Sequence, residues 1–126
     1  MKSRSSAKKA AVHEVSLVHA LFDQIGQAIA PHPSEAVRVV AVRIGELAGV
    51  DPELFRPAFD GTRDERGYGA AALTVVAEPA AWTCRECGAE VGPGGPLRCA
   101  SCGGDARLAA GGDLMLDRVE LEVVDV

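Results

Sequence analysis

The sequence has few aromatic residues, no long apolar run and no lysine beyond residue 9. Aromatic side chains make up 4% of the 126 residues while 48% are hydrophobic, which is typical of a small globular protein and excludes a disordered chain. No apolar run approaches the roughly 18 residues that span a bilayer, so a transmembrane segment is excluded. The length corresponds to about one domain.

Acidic residues are absent from the first twelve positions and dominate the rest of the chain. The formal net charge is −5, and residues 13–126 carry nine arginines against eighteen acidic residues. Because nucleic-acid binding requires a net basic surface, this charge argues against a nucleic-acid partner. We expect residues 1–11 to form a disordered extension. No apolar signal segment follows the basic start, and we expect a cytoplasmic protein.

Hydrophobic periodicity predicts two helices and three strands. Apolar residues at steps of three and four indicate the first helix, and Asp51 followed by Pro52 is typical of a capped start to the second. We expect Pro57 to kink or shorten that second helix, because proline removes a backbone hydrogen bond. The predicted spans are a helix over 13–30, a helix starting at 52, and strands over 37–44, 73–78 and 116–124.

A glycine-rich stretch at 80–113 interrupts this pattern. It has seven glycines between positions 92 and 112, and it has too few bulky apolar residues to fold by burial alone. We predict an α+β fold in which a small mixed α/β domain of two helices and a three-stranded sheet, from residues 12–79 and 114–126, carries residues 80–113 as an inserted zinc-ribbon-like domain.

The insert contains all four cysteines, in two Cys-x-x-Cys-Gly units. Two pairs of this spacing supply four sulfurs for one tetrahedral Zn²⁺, and the glycine after each pair permits the tight turn of a metal-binding knuckle. A rubredoxin-type iron site and a redox dithiol or disulfide pair are the alternatives. A four-thiolate zinc has no open position, which argues against catalysis at the metal. The predicted ligands are Cys84, Cys87, Cys99 and Cys102.

The three histidines, taken alone, are weak evidence for a metal site. His13 and Glu14 stand at the start of the first predicted helix, where a glutamate commonly complements the helix dipole. His19 is not one helical turn away from His13, and His32 lies between two prolines. The sequence has no nucleophile triad, no phosphate-binding loop and no catalytic carboxylate pair, so we expect no enzymatic activity.

The combination of motifs is more specific than any single one. Over about residues 12–124 the sequence resembles the HypA/HybF family of hydrogenase nickel-incorporation proteins. The resemblance is carried by the two cysteine pairs together with His-Glu-x-Ser-Leu at 13–17, Arg-Ile-Gly-Glu-Leu-Ala-Gly-Val-Asp-Pro-Glu-Leu at 43–54, Glu-Pro at 78–79, Gly-Asp-Leu at 112–114 and Val-Glu-Leu-Glu at 119–122.

This resemblance implies a nickel metallochaperone that helps insert Ni²⁺ into the large subunit of [NiFe] hydrogenase. It implies nickel binding at His13 with Glu14 beside it, and a structural Zn²⁺ on the four cysteines. The implied partners are an accessory nickel GTPase and the hydrogenase large subunit, and urease maturation proteins in some members. We also expect that the chain can form a homodimer.

One feature departs from the family pattern. In the family the histidine follows the initiator methionine, whose amine takes part in nickel binding, whereas here Val12 precedes His13. We expect translation to begin at Val12. If residues 1–11 are present, His13 and Glu14 must bind nickel differently, with help from His19 or His32. The other function class that fits the cysteine pairs is a zinc-ribbon adaptor that binds proteins or nucleic acids without nickel transfer.

Overall fold

The computed structural model describes residues 2–92 and 97–123, with side chains described from His13 onward. None of the helices in this part of the chain has the length and hydrophobicity to cross a bilayer. The elements are the helices α1 (Lys2–Ile29) and α2 (Pro52–Thr62), a short 3-10 helix at Ser34–Ala36, and the strands β1 (Val37–Gly45), β2 (Ala72–Glu78), β3 (Ala81–Cys84), β4 (Glu90–Val91), β5 (Ala106–Ala110) and β6 (Leu114–Leu121).

Helix α1 begins earlier than its predicted start at residue 13. The sequence predicts a disordered extension over 1–11, whereas the helix begins at Lys2, and Met1 lies outside the described residues. Alanine and lysine, which fill positions 7–11, are strong helix formers, and no glycine or proline precedes Gly26. The other end agrees with the prediction, since α1 ends at Ile29, two residues before Pro31.

The first sheet has the strand order β2-β1-β6. Strand β1 pairs in parallel with β2, to which it is connected through α2, and antiparallel with β6. The alternation of buried and exposed residues places one face against the two helices. The other face is open, and it carries Val76 and Met115, which are 48% and 53% exposed. All three predicted strands are present in this sheet, but the third spans Leu114–Leu121 and not 116–124 as predicted, with residue 124 outside the described residues.

Aromatic side chains concentrate in the core between the helices and this sheet. Phe22 of α1 stacks on Tyr68 with ring centroids 4.5 Å apart. The ring of Phe59 is tilted relative to that of Phe22, with 5.1 Å between the two ring centroids. Phe55 is also fully buried there, so four of the five aromatic residues lie in one cluster. Burial of such rings contributes strongly to folding in a chain this small.

Helix α2 begins at its predicted position and is longer than expected. The Asp51 side chain accepts a hydrogen bond from the Glu53 backbone N–H at 2.9 Å, which caps the helix. The helix continues through Pro57 to Thr62, so of the two predicted effects the shortening is wrong, and the kink stays a prediction. Pro57 has no N–H to donate to the Glu53 carbonyl in the first turn, and the buried residues beyond Pro57 hold the last turns in place.

The inserted stretch forms a second three-stranded sheet with the order β4-β3-β5. Both pairings are antiparallel, and Trp82 of β3 lies opposite Val91 and Leu108. Its apolar cluster is small, with Cys84, Val91 and Cys99 as its buried members. The sequence predicts the cysteine site here but none of these strands, because they are short and lack clear alternation.

Candidate metal sites

The two cysteine pairs adopt the same local conformation. In the first, Cys84 N–H bonds the Ala89 carbonyl at 2.8 Å and Gly88 N–H bonds the Cys84 carbonyl at 3.1 Å. In the second, Cys99 makes the equivalent bonds with Gly104 and Gly103, at 2.8 and 2.9 Å. The glycine after each pair has a positive φ, 75° at Gly88 and 74° at Gly103. Glycine adopts such a backbone conformation readily, whereas a residue with a side chain does not. Each unit is therefore a knuckle that the sequence encodes locally.

The two knuckles bring all four sulfur atoms together. The Sγ atoms of Cys84, Cys87, Cys99 and Cys102 lie within 4.8 Å of one another. Two of the close contacts join different knuckles, with 3.4 Å between the Sγ atoms of Cys84 and Cys102 and 3.6 Å between those of Cys87 and Cys99. Zinc–thiolate bonds of ~2.3 Å place sulfurs about 3.8 Å apart in a tetrahedron. The cluster therefore has the donor set and the size for one tetrahedral ion.

Backbone donors favour the thiolate form of the first cysteine in each knuckle. The N–H groups of Cys102 and Ser101 lower the pKa of Cys99 to about 6. The N–H groups of Cys87 and Glu86 lower the pKa of Cys84, and the Glu86 nitrogen is 3.4 Å from its sulfur. Because metals bind the thiolate, these donors favour the form of both cysteines that can coordinate a metal.

The pKa of the second cysteine of each knuckle, Cys87 and Cys102, is raised. Backbone N–H of Gly104 lowers the pKa of Cys102, but hydrogen bonds with the Cys84 and Cys87 thiols outweigh it and raise the pKa to about 12. Four sulfurs this close cannot all be ionised without a cation between them. The arrangement favours a single four-sulfur metal centre over two separate dithiol pairs.

His13 and Glu14 lie on different faces of α1. His13 is exposed and lines a groove of about 320 Å³ between α1, the segment after β1 and the start of β6. Glu14 is only 2% exposed, and its Oε2 atom has no hydrogen-bond partner among the described residues. The sequence did not predict this burial, because its pattern indicates that Glu14 is a glutamate at a helix start that complements the helix dipole.

The other two histidines do not join His13. The Nδ1 atom of His19 is 2.9 Å from the guanidinium of Arg66, and its Nε2 atom is 3.9 Å from Glu65. His32 is exposed after α1, and neither residue lines the His13 groove. The structure instead places Asp113 beside that groove. Sequence reasoning used Asp113 only as part of a motif, since nothing in its spacing links it to position 13.

Comparison with known proteins agrees with this architecture. The family model described as hydrogenase/urease nickel incorporation, metallochaperone, HypA matches residues 12–121. The hydrogenase maturation factor HypA of Shewanella baltica (strain OS223) is 32% identical over 114 residues, which cover 88% of this chain and 97% of that protein. HypA of Synechococcus elongatus is 33% identical over 114 residues, which cover 87% and 99%.

Two solved structures share the fold. The solution structure of the Ni metallochaperone HypA from Helicobacter pylori superimposes with a TM-score of 0.65 at 25% identity, covering 86% of this chain and 96% of that one. A second HypA solution structure gives a TM-score of 0.71 at 25% identity, covering 88% and 97%.

Fold and site together define a small α+β metal-binding protein, in which a four-cysteine knuckle module is inserted between two strands of a helix-covered sheet. The chain belongs to the HypA family of nickel-incorporation metallochaperones for hydrogenase maturation, which confirms the resemblance in its sequence.

Proposed function

We propose that this chain binds Ni²⁺ as cargo at His13, assisted by Glu14, and helps to insert it into the [NiFe] hydrogenase large subunit. The family assignment supports nickel delivery, and the matched region starts at residue 12, next to these two residues. Imidazole nitrogen and carboxylate oxygen are donors that Ni²⁺ accepts. The exposure of His13 on an open groove is suitable for a site that must release its metal.

The buried Glu14 carboxylate is the observation that carries the site assignment. A buried carboxylate oxygen without a hydrogen-bond partner costs free energy. Oε2 of Glu14 has no partner among the described residues, so a cation beside it would offset part of that cost. Side chains of adjacent helical residues point about 100° apart, so His13 and Glu14 reach one ion only if the backbone there leaves the helical conformation. Nickel binding should therefore unwind α1 locally.

We propose Zn²⁺ as the resident metal of the four cysteines. The donor set, the sulfur spacing and the positive-φ glycines fit a closed tetrahedral site. When bound, Zn²⁺ supplies folding free energy to a module whose apolar cluster has three buried members among the residues that the structure describes. The chain's own contribution is the set of backbone N–H groups that stabilise two of the thiolates.

The remaining assignments follow from this role. We propose a nickel-binding domain from residues 12–79 and 114–126, a zinc-binding insert at 80–113, and activity as a carrier rather than as an enzyme. The partners are an accessory nickel GTPase, the hydrogenase large subunit and, as the family description includes urease, urease maturation proteins. The cytoplasm is the proposed compartment, since it keeps such cysteines reduced.

A nickel titration by calorimetry tests the proposal. Zinc-loaded protein, both the full chain and a chain that starts with methionine at position 12, should bind a single Ni²⁺. His13→Ala should abolish binding and Glu14→Gln should weaken it. His32→Ala, which removes an exposed histidine outside the groove, is the matched control and should leave binding unchanged.

The titration also separates the rival function. If neither form of the zinc-loaded protein binds nickel while the second sheet is folded, the proposal fails. Binding of a partner protein without nickel would then favour the zinc-ribbon adaptor. Amide resonances of residues 13–15 supply a second readout, because local unwinding of α1 should shift them on nickel addition.

A further inference from the structure

The chain crosses between its two sheets twice, at neighbouring positions. The outgoing crossing is Pro79–Ala80 between β2 and β3, and the returning crossing is Gly111–Asp113 between β5 and β6. Two short covalent links alone form a hinge about which the cysteine module, defined here as Ala81–Ala110, could swing. The orientation of that module must therefore be set by noncovalent contacts at the crossings.

The turn after β1 supplies those contacts, and it bonds to both crossings. Its Glu46 N–H donates to the Glu78 carbonyl at 2.8 Å, and the Glu46 carboxylate accepts from Ala80 N–H at 2.8 Å. On the returning side, Leu47 N–H donates to the Gly111 carbonyl at 2.8 Å. One turn of the first sheet thus holds both ends of the cysteine module.

The Glu78 side chain joins the two crossings to each other and to the sheet. One carboxylate oxygen accepts from Gly111 N–H at 2.8 Å, and the other accepts from the Arg43 guanidinium at 2.9 Å. Arg43 also contacts Asp117 of β6 at 3.3 Å. The Glu78 side chain is only 20% exposed, so these bonds are partly protected from solvent.

The backbones at this junction are in direct contact. A Cβ atom on Gly45 would lie 2.3 Å from the Gly111 carbonyl, and one on Gly111 would lie 2.7 Å from the Ala80 Cα atom. Three chain segments therefore meet with no space for a side chain between them. Such a junction has few alternative packings, and a few hydrogen bonds are enough to select one.

We infer that Glu46 and Glu78 form a carboxylate clamp that locks the cysteine module in one orientation relative to the helix-covered sheet. Residues of the same junction, Gly112 and Asp113, also line the groove that contains His13. The clamp consequently fixes the position of the four-sulfur site with respect to that groove. This inference does not depend on nickel binding, so its failure and that of the proposed function are separate results.

Residual dipolar couplings of the zinc-loaded wild-type protein test the inference without any substitution. Amide couplings from β1, β2 and β6 and from β3 and β5 should fit one common alignment tensor. Separate tensors for the two sheets would show that the module swings freely, and they would overturn the inference.

Substitutions then assign the effect to the two carboxylates. The double variant Glu46→Ala with Glu78→Ala should lose the common tensor, and its module should show a shorter correlation time in ¹⁵N relaxation, with zinc content unchanged. Replacement of both by glutamine, which keeps an acceptor oxygen, should restore much of the coupling. The matched control is Glu120→Ala, because Glu120 pairs with Arg118 on its own strand and touches neither crossing. A double alanine variant that keeps the common tensor contradicts the clamp.

Discussion

Gly45 and Gly111 meet where the two sheets join, and substitutions there can separate the steric cost of an added methyl group from the cost of a left-handed backbone. Gly111 has a φ of 86°, and an added Cβ would lie 2.7 Å from the Pro79 carbonyl oxygen and from the Ala80 Cα atom. Left-handed backbone costs a residue with a Cβ about 1–2 kcal/mol. Overpacking of a tight contact costs about 1–3 kcal/mol. We expect Gly111→Ala to lower the free energy of unfolding by the sum, about 2–5 kcal/mol.

Three other glycines supply the matched controls. Gly49 has a φ of 73° with nothing within 4 Å, so Gly49→Ala should show only the backbone cost of about 1–2 kcal/mol. Gly45 has the close contact without a positive φ, so Gly45→Ala should show only the steric cost of about 1–3 kcal/mol. Gly61 lies inside α2 with open space around it, so Gly61→Ala should raise the free energy of unfolding by about 0.5–1 kcal/mol.

Urea unfolding of the zinc-loaded proteins, followed by circular dichroism, measures all four changes. The slope against urea concentration must stay constant for the free energies to be comparable. Zinc content is measured for each variant, so that loss of metal is not mistaken for strain. Equal costs for Gly111→Ala and Gly49→Ala would show that the junction accommodates a methyl group, and the steric reasoning would then be refuted.

The remaining predictions concern one thiolate, one carboxylate and one helix cap. Cys102→Ser should lower zinc content and abolish the folded signals of the second sheet, whereas Ser101→Ala should change neither. Hydrogen bonds from the Arg43 side chain and then from Gly111 N–H hold the pKa of Glu78 below 4.5, so its stabilising contribution is present above about pH 4.5 and is lost as the pH falls through the lower folded-state value. Glu78→Gln should flatten the acid limb of a stability–pH curve. Asp51→Ala should cost about 1 kcal/mol in urea unfolding.

Each of these has an outcome that contradicts it. Full zinc occupancy in Cys102→Ser would exclude a four-thiolate site. A Glu78→Gln variant that loses stability on acidification as steeply as the wild type would place the responsible group elsewhere. For the helix cap, Asp60→Ala is the control, since Asp60 is exposed on α2, and equal losses in the two variants would argue against capping.

Local signals in the sequence were sufficient for much of this fold. The Asp51–Pro52 helix start and the end of α1 before Pro31 depend on neighbouring residues, and both agree with the structure. The Cys-x-x-Cys-Gly units are equally local, since each knuckle is closed by hydrogen bonds across five residues. The number of cysteines predicted that the two knuckles lie together, because four sulfurs complete one tetrahedral site.

Features that depend on distant contacts could not be predicted. The burial of Glu14 depends on where α1 packs, and a pattern based on polarity assigns any glutamate to the surface. The role of Gly45 depends on Gly111, which is far away in the chain and opposes it only after both sheets form. The expected shortening of α2 at Pro57 came from a general propensity, which does not include the tertiary packing that holds the last turns of this helix.

The nested order of the strands has a consequence for how the protein folds. Strand β6 must return to β1 across the whole inserted stretch, in the register Val40 with Val119 and Ile44 with Leu114. An unfolded insert makes this a long loop, whereas an insert that has folded around its metal already holds its two ends together. The loop to be closed is then much shorter, and its entropy cost falls.

Supply of the proposed Zn²⁺ should therefore influence the completion of a sheet that contains none of the sulfur ligands. Until β6 arrives, one edge of β1 is unpaired, and the apolar side chains of Val40, Val42 and Ile44 lack part of their cover. Exposed strand edges beside apolar surface are sites of aggregation. Zinc shortage during synthesis should accordingly reduce the yield of folded, soluble protein as well as the amount of metal bound.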